Sequence, residues 1–181
     1  MDLLIALSQG LGLAVAAGFF ASAPLAVGSS VAALGFADSA LDIADNATTV
    51  AVLWAVAIVE FIADAIWPGA EAGAKLWRRV IGGGLAFELI AGNEIPYVGL
   101  AIGALVAAAV ALTLRQMRIR AIRSGGDVRG TAIIEAGAGV VTAVVGAVPI
   151  IGYALVVAAG LLFGRTRRRE QEKYKGLRVL R

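Results

Sequence analysis

Four long runs of apolar and small residues, about 3–35, 48–68, 80–114 and 131–164, alternate with short stretches that hold most of the charge. The run 48–68 has the length of one helix crossing a hydrocarbon core of roughly 30 Å, at about 1.5 Å per residue. The other three are too long for a single crossing. Each carries a breaker near its middle: Gly18-Phe19-Phe20-Ala21-Ser22-Ala23-Pro24, Glu94-Ile95-Pro96-Tyr97-Val98-Gly99 and Ala147-Val148-Pro149-Ile150-Ile151-Gly152. Proline lacks a backbone donor and clashes with the preceding turn, which suits the apex of a helical hairpin. Pro24, Pro96 and Pro149 are therefore the expected apices, and the hairpins starting at 80 and 131 are expected to have short arms of about 14–18 residues that span or re-enter. These two runs also align: Ile95-Pro96-Tyr97-Val98-Gly99-Leu100-Ala101 lies over Val148-Pro149-Ile150-Ile151-Gly152-Tyr153-Ala154, and Gly84 over Gly137. That is the pattern of a parallel repeat.

Charge gives these runs a direction. Residues 1–74 contain Asp2, Asp38, Asp42, Asp45, Glu60, Asp64 and Glu71 but no Lys or Arg, and all 16 basic residues lie from Lys75 onward. They fall in a loop with Lys75, Arg78 and Arg79, a loop over 115–130, and a tail over 165–181. Positive charge beside membrane segments is retained on the cytoplasmic side. The basic zones are expected in the cytoplasm and the acidic loop 36–47 outside, with 48–68 crossing once. Runs 80–114 and 131–164 start and end beside basic residues, so each turns back. Run 3–35 fits a third hairpin entering from outside, or one kinked helix with its N-terminus inside. Ala21-Ser22-Ala23 has the small-x-small form of a signal cleavage site, but Asp2 and the lack of positive charge before it make the segment read as mature protein.

Composition supports the same picture. Apolar residues make up 60% and charged residues 16%, with mean hydropathy +0.86. A soluble globule is usually about half apolar and a quarter charged, so this chain has too little polar surface to face water all round. The expected fold is an all-α integral membrane protein, a polytopic bundle with Pro/Gly-broken hairpins in the inner (plasma) membrane. One transmembrane domain covers 1–164, and 165–181 is a basic cytoplasmic tail. The chain has no Cys and no His, which excludes thiolate and imidazole chemistry and the common transition-metal sites, so no metal or other cofactor is expected. Carboxylates alone, without an Asp-rich pair or a Ser-Lys signature, do not read as an enzyme.

Glu60, Asp64 and Glu88 are the acids in apolar runs that stand out as candidates. Glu60 and Asp64, four apart, share one helix face, and Glu88 sits in the first arm of run 80–114. A charge at mid-bilayer costs about 2.5–3.5 kcal/mol on insertion scales, so such residues usually face a bundle interior or a cavity. They are candidates for a proton or cation site. The plainer alternative is that Asp64 reaches Lys75 or Arg78, while Glu60 and Glu88 are protonated and bonded to a neighbour. Gly99-x-x-x-Gly103 and Gly160-x-x-x-Gly164 have close-packing spacing, for contacts within the chain or for self-association into a homo-oligomer. Gly82-Gly83-Gly84 lacks the strand and the Lys-Ser/Thr of a phosphate loop. Arg165, Arg167, Arg168 and Arg169 open the tail. They fit anionic headgroups on the cytoplasmic side better than nucleic acid, since no aromatic platform accompanies them. Asn46-Ala47-Thr48 matches a glycosylation acceptor, a triplet common by chance.

Several of these stretches resemble a family of small bacterial membrane proteins known only as a domain of unknown function. The resemblance rests on Met1-Asp2-Leu3-Leu4, on Gln9-Gly10-Leu11-Gly12-Leu13-Ala14 with Ala17-Gly18, and on Glu60-Phe61-Ile62-Ala63-Asp64 with Pro68 and Gly69 behind. Arg123-Ser124-Gly125-Gly126, with Glu135 beyond, completes it. The family has Leu-Arg where this chain has Phe19-Phe20, and Lys where it has Ala65, and Pro68 lies one residue late. The resemblance therefore carries no ion pair over to this chain. It implies a polytopic bacterial membrane protein and supplies no activity. Broken helices and unpaired acids together point to permeation or transport of a proton, a small cation or a cation-coupled solute. The alternative is a non-catalytic scaffold, assembly subunit or lipid-interacting protein held by glycine faces and the basic tail.

Overall fold

In a computed structural model the chain is all-helical, with seven helices and no strand among the described residues. The structure describes residues 2–40, 44–67 and 72–175, without the side chains of 72 and 169–175. Asp42, Pro68, Gly69 and Glu71 lie outside the described residues, as does the side chain of Arg169.

The first helix, α1 (Leu3–Ala17), is the axis of the bundle. Ala6, Leu13, Ala14, Ala16 and Ala17 are fully buried. A helix that is apolar or small on every face belongs in a core. The chain then breaks at 18–22 and returns as α2 (Ala23–Ala33). Gly28 of α2 lies against Leu13 of α1 and against Leu89 of α4 (Ala72–Ala91), whereas Ala21 at the break lies against Gly82, two turns earlier on α4. The first run is thus a hairpin and not one kinked helix. Its arms of 15 and 11 residues are roughly 22 and 16 Å long, too short for a bilayer core. Pro24 is not at the apex. It sits in the first turn of α2, where a missing N–H costs nothing.

Helix α3 (Ala47–Ile66) is capped by Asn46, whose Oδ1 accepts from Thr48 N–H at 2.9 Å. That bond gives the Asn46 triplet a structural role. The helix stops at Trp67, because the residue before a proline disfavours helical backbone. Next come two longer hairpins. Helices α4 (Ala72–Ala91) and α5 (Val98–Arg123) meet at 92–97, and α6 (Val128–Gly146) and α7 (Ile151–Lys175) meet at 147–150. Pro96 and Pro149 lie in these turns. Short arms were expected, but the arms have 20 and 26 residues in one hairpin and 19 and 25 in the other. The reason is that the helices continue through the basic stretches. Lys75, Arg78 and Arg79 are on α4 and not in a loop, and only 124–127 separates α5 from α6.

Two ends can be told apart. Arg79 of α4 and Arg118 of α5 both approach Glu135 of α6, at 3.1 and 3.9 Å, and Lys75 meets Asp64 of α3 at 2.6 Å. The start of α4, the end of α5 and the start of α6 therefore share one end with the end of α3. At the other end the acidic loop lies over the first apex: Ala40 N–H donates to Leu89 O at 2.8 Å, and Asn93 Nδ2 donates to Ser39 O at 3.1 Å. Helices α3, α5 and α6 are each long and apolar enough to cross a membrane by length and composition. Large side chains such as Val59, Leu105, Ile134 and Leu161 are more than 60% exposed, a surface that fits a membrane protein.

Glycine sets the closest contacts. Gly83 and Gly103 bring α4 and α5 together, and Gly99 packs on Phe87. Gly12 of α1 abuts Gly146 of α6, and Gly152 of α7 lies on the carbonyl of Ser8. Gly160 and Gly164 make no such crossing. A Cβ at either would meet nothing within 4 Å, so the packing expected there has no partner among the described residues.

Candidate functional site

The break between α1 and α2 places unpaired backbone donors inside the bundle, where the start of any helix leaves N–H groups without intrahelical partners. Four helices hold this tip. Gly18 fits against Val110 and Ala107 of α5, Phe20 against Gly139 of α6, Ala21 against Gly82 of α4, and Ser22 against Glu60 of α3. Glu60 takes up two of the donors there, both on Ser22. Its Oε2 accepts from Ser22 N–H at 3.0 Å and, in a short contact, from the Ser22 hydroxyl. A carboxylate at the start of a helix is also favoured by the helix dipole.

One turn along α3, Asp64 receives the ammonium of Lys75 at 2.6 Å. Arg78 lies between the two acids, 3.7 Å from Glu60 and 3.6 Å from Asp64. Glu60, Asp64 and Lys75 are buried, while the Arg78 side chain is 45% exposed. The cluster pairs two carboxylates with two cations. The plainer sequence reading of Asp64 thus matches the geometry, but Glu60 has cationic company that the sequence reading denied it. Arg78 lines a groove of about 380 Å³ between α2, α3 and α4, together with Glu60 and Ser22 and with apolar walls that include Val59, Ile81 and Leu85.

Glu88 does not join this cluster. Arg78 lies ten residues before it on α4, roughly 15 Å along the helix axis. The Oε1 of Glu88 accepts from Tyr97 N–H at 3.0 Å, which fastens the turn between α4 and α5, while its buried Oε2 has no hydrogen-bond partner among the described residues. The three acids form a pair and a separate latch, not one site. Arg165, Arg167 and Arg168 are exposed on the last turns of α7, with Arg167 5.6 Å from the centre of the Phe163 ring. No cluster of metal-ligating residues occurs among the described residues.

The sequence points to Lys75 or Arg78 as a partner of Asp64, but not to Ser22 or Glu135 as parts of a site, nor to Arg78 beside Glu60. The spacing of Lys75, Arg78 and Arg79 over one helical turn was the available signal, since i, i+3 and i+4 share a face. No family model, curated protein or solved structure matches the chain.

Proposed function

We propose that the chain is a polytopic protein of a bacterial inner membrane that moves a proton, or a small cation or solute linked to one, with Glu60 as the group that takes up and releases positive charge. The basic end faces the cytoplasm in this reading and the acidic loop faces out, following the retention of Lys and Arg. One observation carries the proposal. A buried carboxylate sits at the tip of a short broken hairpin, beside Arg78, on the wall of an open groove. Non-helical backbone at membrane depth is tolerated where protein or a cavity surrounds it, and transport sites are built from such breaks. Protonation of Glu60 would weaken both its hold on Ser22 and its attraction for Arg78, linking charge uptake to the position of the tip. Asp64 serves as the partner of Lys75, and Glu88 as the latch of the first apex.

A non-catalytic membrane scaffold is the second reading, and a specific observation favours it. Glu60, Asp64 and Glu135 all have cationic neighbours, and glycine contacts close the axis around α1. Proteoliposomes separate the two. Transport predicts proton or cation flux that falls at least about ten-fold in Glu60→Gln, a change of about 1.4 kcal/mol or more in the barrier. Absence of flux over a panel of ions and solutes would leave the scaffold. In the same vesicles, cysteines introduced as Asn93→Cys and Ser124→Cys should label from opposite sides; labelling from one side overturns the topology.

A further inference from the structure

The groove between α2, α3 and α4 is the one on which the transport reading rests, and its apolar walls have a chemistry that reading leaves unused. Its walls are apolar and open outward, with Val56, Val59, Ile81 and Leu85 between 40% and 65% exposed. One end is polar and carries both signs of charge. Arg78 stands 3.7 and 3.6 Å from its two carboxylates, outside the about 2.7–2.9 Å of a charge-assisted hydrogen bond. The short contacts of those carboxylates go elsewhere: Asp64 to Lys75 and Glu60 Oε2 to Ser22. Half-exposed guanidinium donors and the second oxygen of Glu60, Oε1, therefore sit side by side at the head of an apolar trough.

We infer that this groove seats a zwitterionic aminophospholipid, its phosphate on Arg78, its primary ammonium on Glu60 Oε1, and an acyl chain along Val56, Val59, Ile81 and Leu85. The match lies in the pairing of charges. A purely anionic head would bring a second negative charge beside Glu60, and a purely cationic one would meet Arg78. A quaternary ammonium has no N–H to donate to Glu60, so choline heads fit less well than ethanolamine heads. The trough, at about 380 Å³, has the size of ordinary ligand sites. This seat shares Glu60 and Arg78 with the transport reading, but it is a matter of equilibrium binding, so lipid retention and flux succeed or fail separately. It is also distinct from the arginines at the end of α7.

The test is lipid retention by the full chain, purified from vesicles of equal phosphatidylethanolamine, phosphatidylglycerol and phosphatidylcholine and read by native mass spectrometry. The wild type should keep phosphatidylethanolamine over phosphatidylcholine by about ten-fold, the worth of one good charge-assisted hydrogen bond. Glu60→Gln should erase that preference and Arg78→Gln should weaken retention of both lipids. Val59→Trp, a change on an exposed wall that spares the ion pairs, should block the trough and lower retention of both while the fold stands. Equal retention of ethanolamine and choline lipids by the wild type overturns the proposal. So does a preference that survives Glu60→Gln, or retention in Val59→Trp at the wild-type level.

Discussion

The two long hairpins share one apex but close in different ways. Each turns through a proline followed by a residue in the left-handed region, Tyr97 at φ 64° and Ile150 at φ 74°. Tyr97 lies over Ile150 in the sequence alignment of the two runs, and α5 and α7 both begin at the following residue. Beyond the turn the likeness ends. In the first hairpin the glycines face one another, so Gly83 and Gly103 zip α4 to α5. In the second they face outward to α1, with Gly12 on Gly146 and Gly152 on Ser8, and the axis helix is wedged between the arms. The repeat is a repeat of the turn. Packing was decided by where the small residues fall around each helix, because close backbone approach is available only where a side chain is missing.

The largest effects should come from filling those contacts. A Cβ on Gly152 would run into the Ser8 carbonyl, and one on Gly12 would come within 2.6 Å of Gly146 Cα. Backbone cannot yield as a flexible side chain can, so Gly12→Ala and Gly152→Ala should each cost about 3 kcal/mol or more, at the upper end of overpacking. Gly160→Ala fills open space and should be neutral or stabilise by about 0.5–1 kcal/mol. Hydrogen exchange in detergent sharpens the contrast. Helix α1 also packs on α4 and α5, through Gly10 on Phe87 and Gly18 on Val110, but Gly12 itself abuts α6. Gly12→Ala should therefore raise exchange most across 128–175 and less across 72–123. A uniform rise would mean that the first hairpin depends on α1 as much as the second does, and the contrast would fail.

This comparison also explains what was legible in the sequence. The turns were, because Pro96 and Pro149 act locally and their backbone consequences do not depend on neighbours. The grouping of basic residues at one end was legible too, from their place beside apolar runs. The arm lengths were not legible, because a basic residue beside an apolar run does not say whether the helix ends there; Arg79 and Arg118 stay helical and meet Glu135. The site at Glu60 was half visible. Glu60 and Asp64 show on one helix face from their spacing, but Ser22 is far from Glu60 in the chain, and nothing in the spacing announces that a hairpin tip will meet it. Likewise Gly160-x-x-x-Gly164 and Gly99-x-x-x-Gly103 look the same as strings and differ only in what stands opposite.

A smaller effect tests the shared apex. A non-glycine residue in the left-handed region carries roughly 1–2 kcal/mol of strain, and a β-branched one is a clear outlier. Tyr97 and Ile150 are 86% and 72% exposed, so trimming either loses little packing. Ile150→Gly should stabilise by about 1 kcal/mol after the entropy of glycine in the unfolded chain is set against the relief. Tyr97→Gly should gain less, because its side chain is not β-branched. Thermal unfolding of the two variants in one detergent checks the order. A loss of stability in Ile150→Gly would mean that the turn is held by its side chain and not endured despite it.

The smallest effect lies in the link between the hairpins. Asp127 caps α6, with Oδ2 accepting from Gly130 N–H at 2.7 Å. That bond, then the Arg129 N–H, holds its carboxyl below the ordinary value of 3.8. A group whose folded pKa is depressed adds stability that is fully present above its unfolded value and is lost as pH falls through the folded value. The cap should therefore contribute at neutral pH and fade only below about pH 4, near the unfolded carboxyl. Asp127→Asn keeps an acceptor without the charge, so this part of the pH dependence should be missing from the variant, and its stability relative to wild type should rise as pH falls through that acid window. Asp127→Ala should lower the melting temperature slightly at pH 7 and not at pH 2. The side chain is solvent-exposed, so salt should weaken the charged part of the effect and leave the hydrogen-bonded part. Because the same loop joins the closed hairpin to the wedged one, fraying at the start of α6 should appear in hydrogen exchange at 128–131 without spreading into α4 or α5. Spread into those helices would mean that the two hairpins unfold as one unit through Glu135, and that their different packing does not divide them into separate cooperative parts.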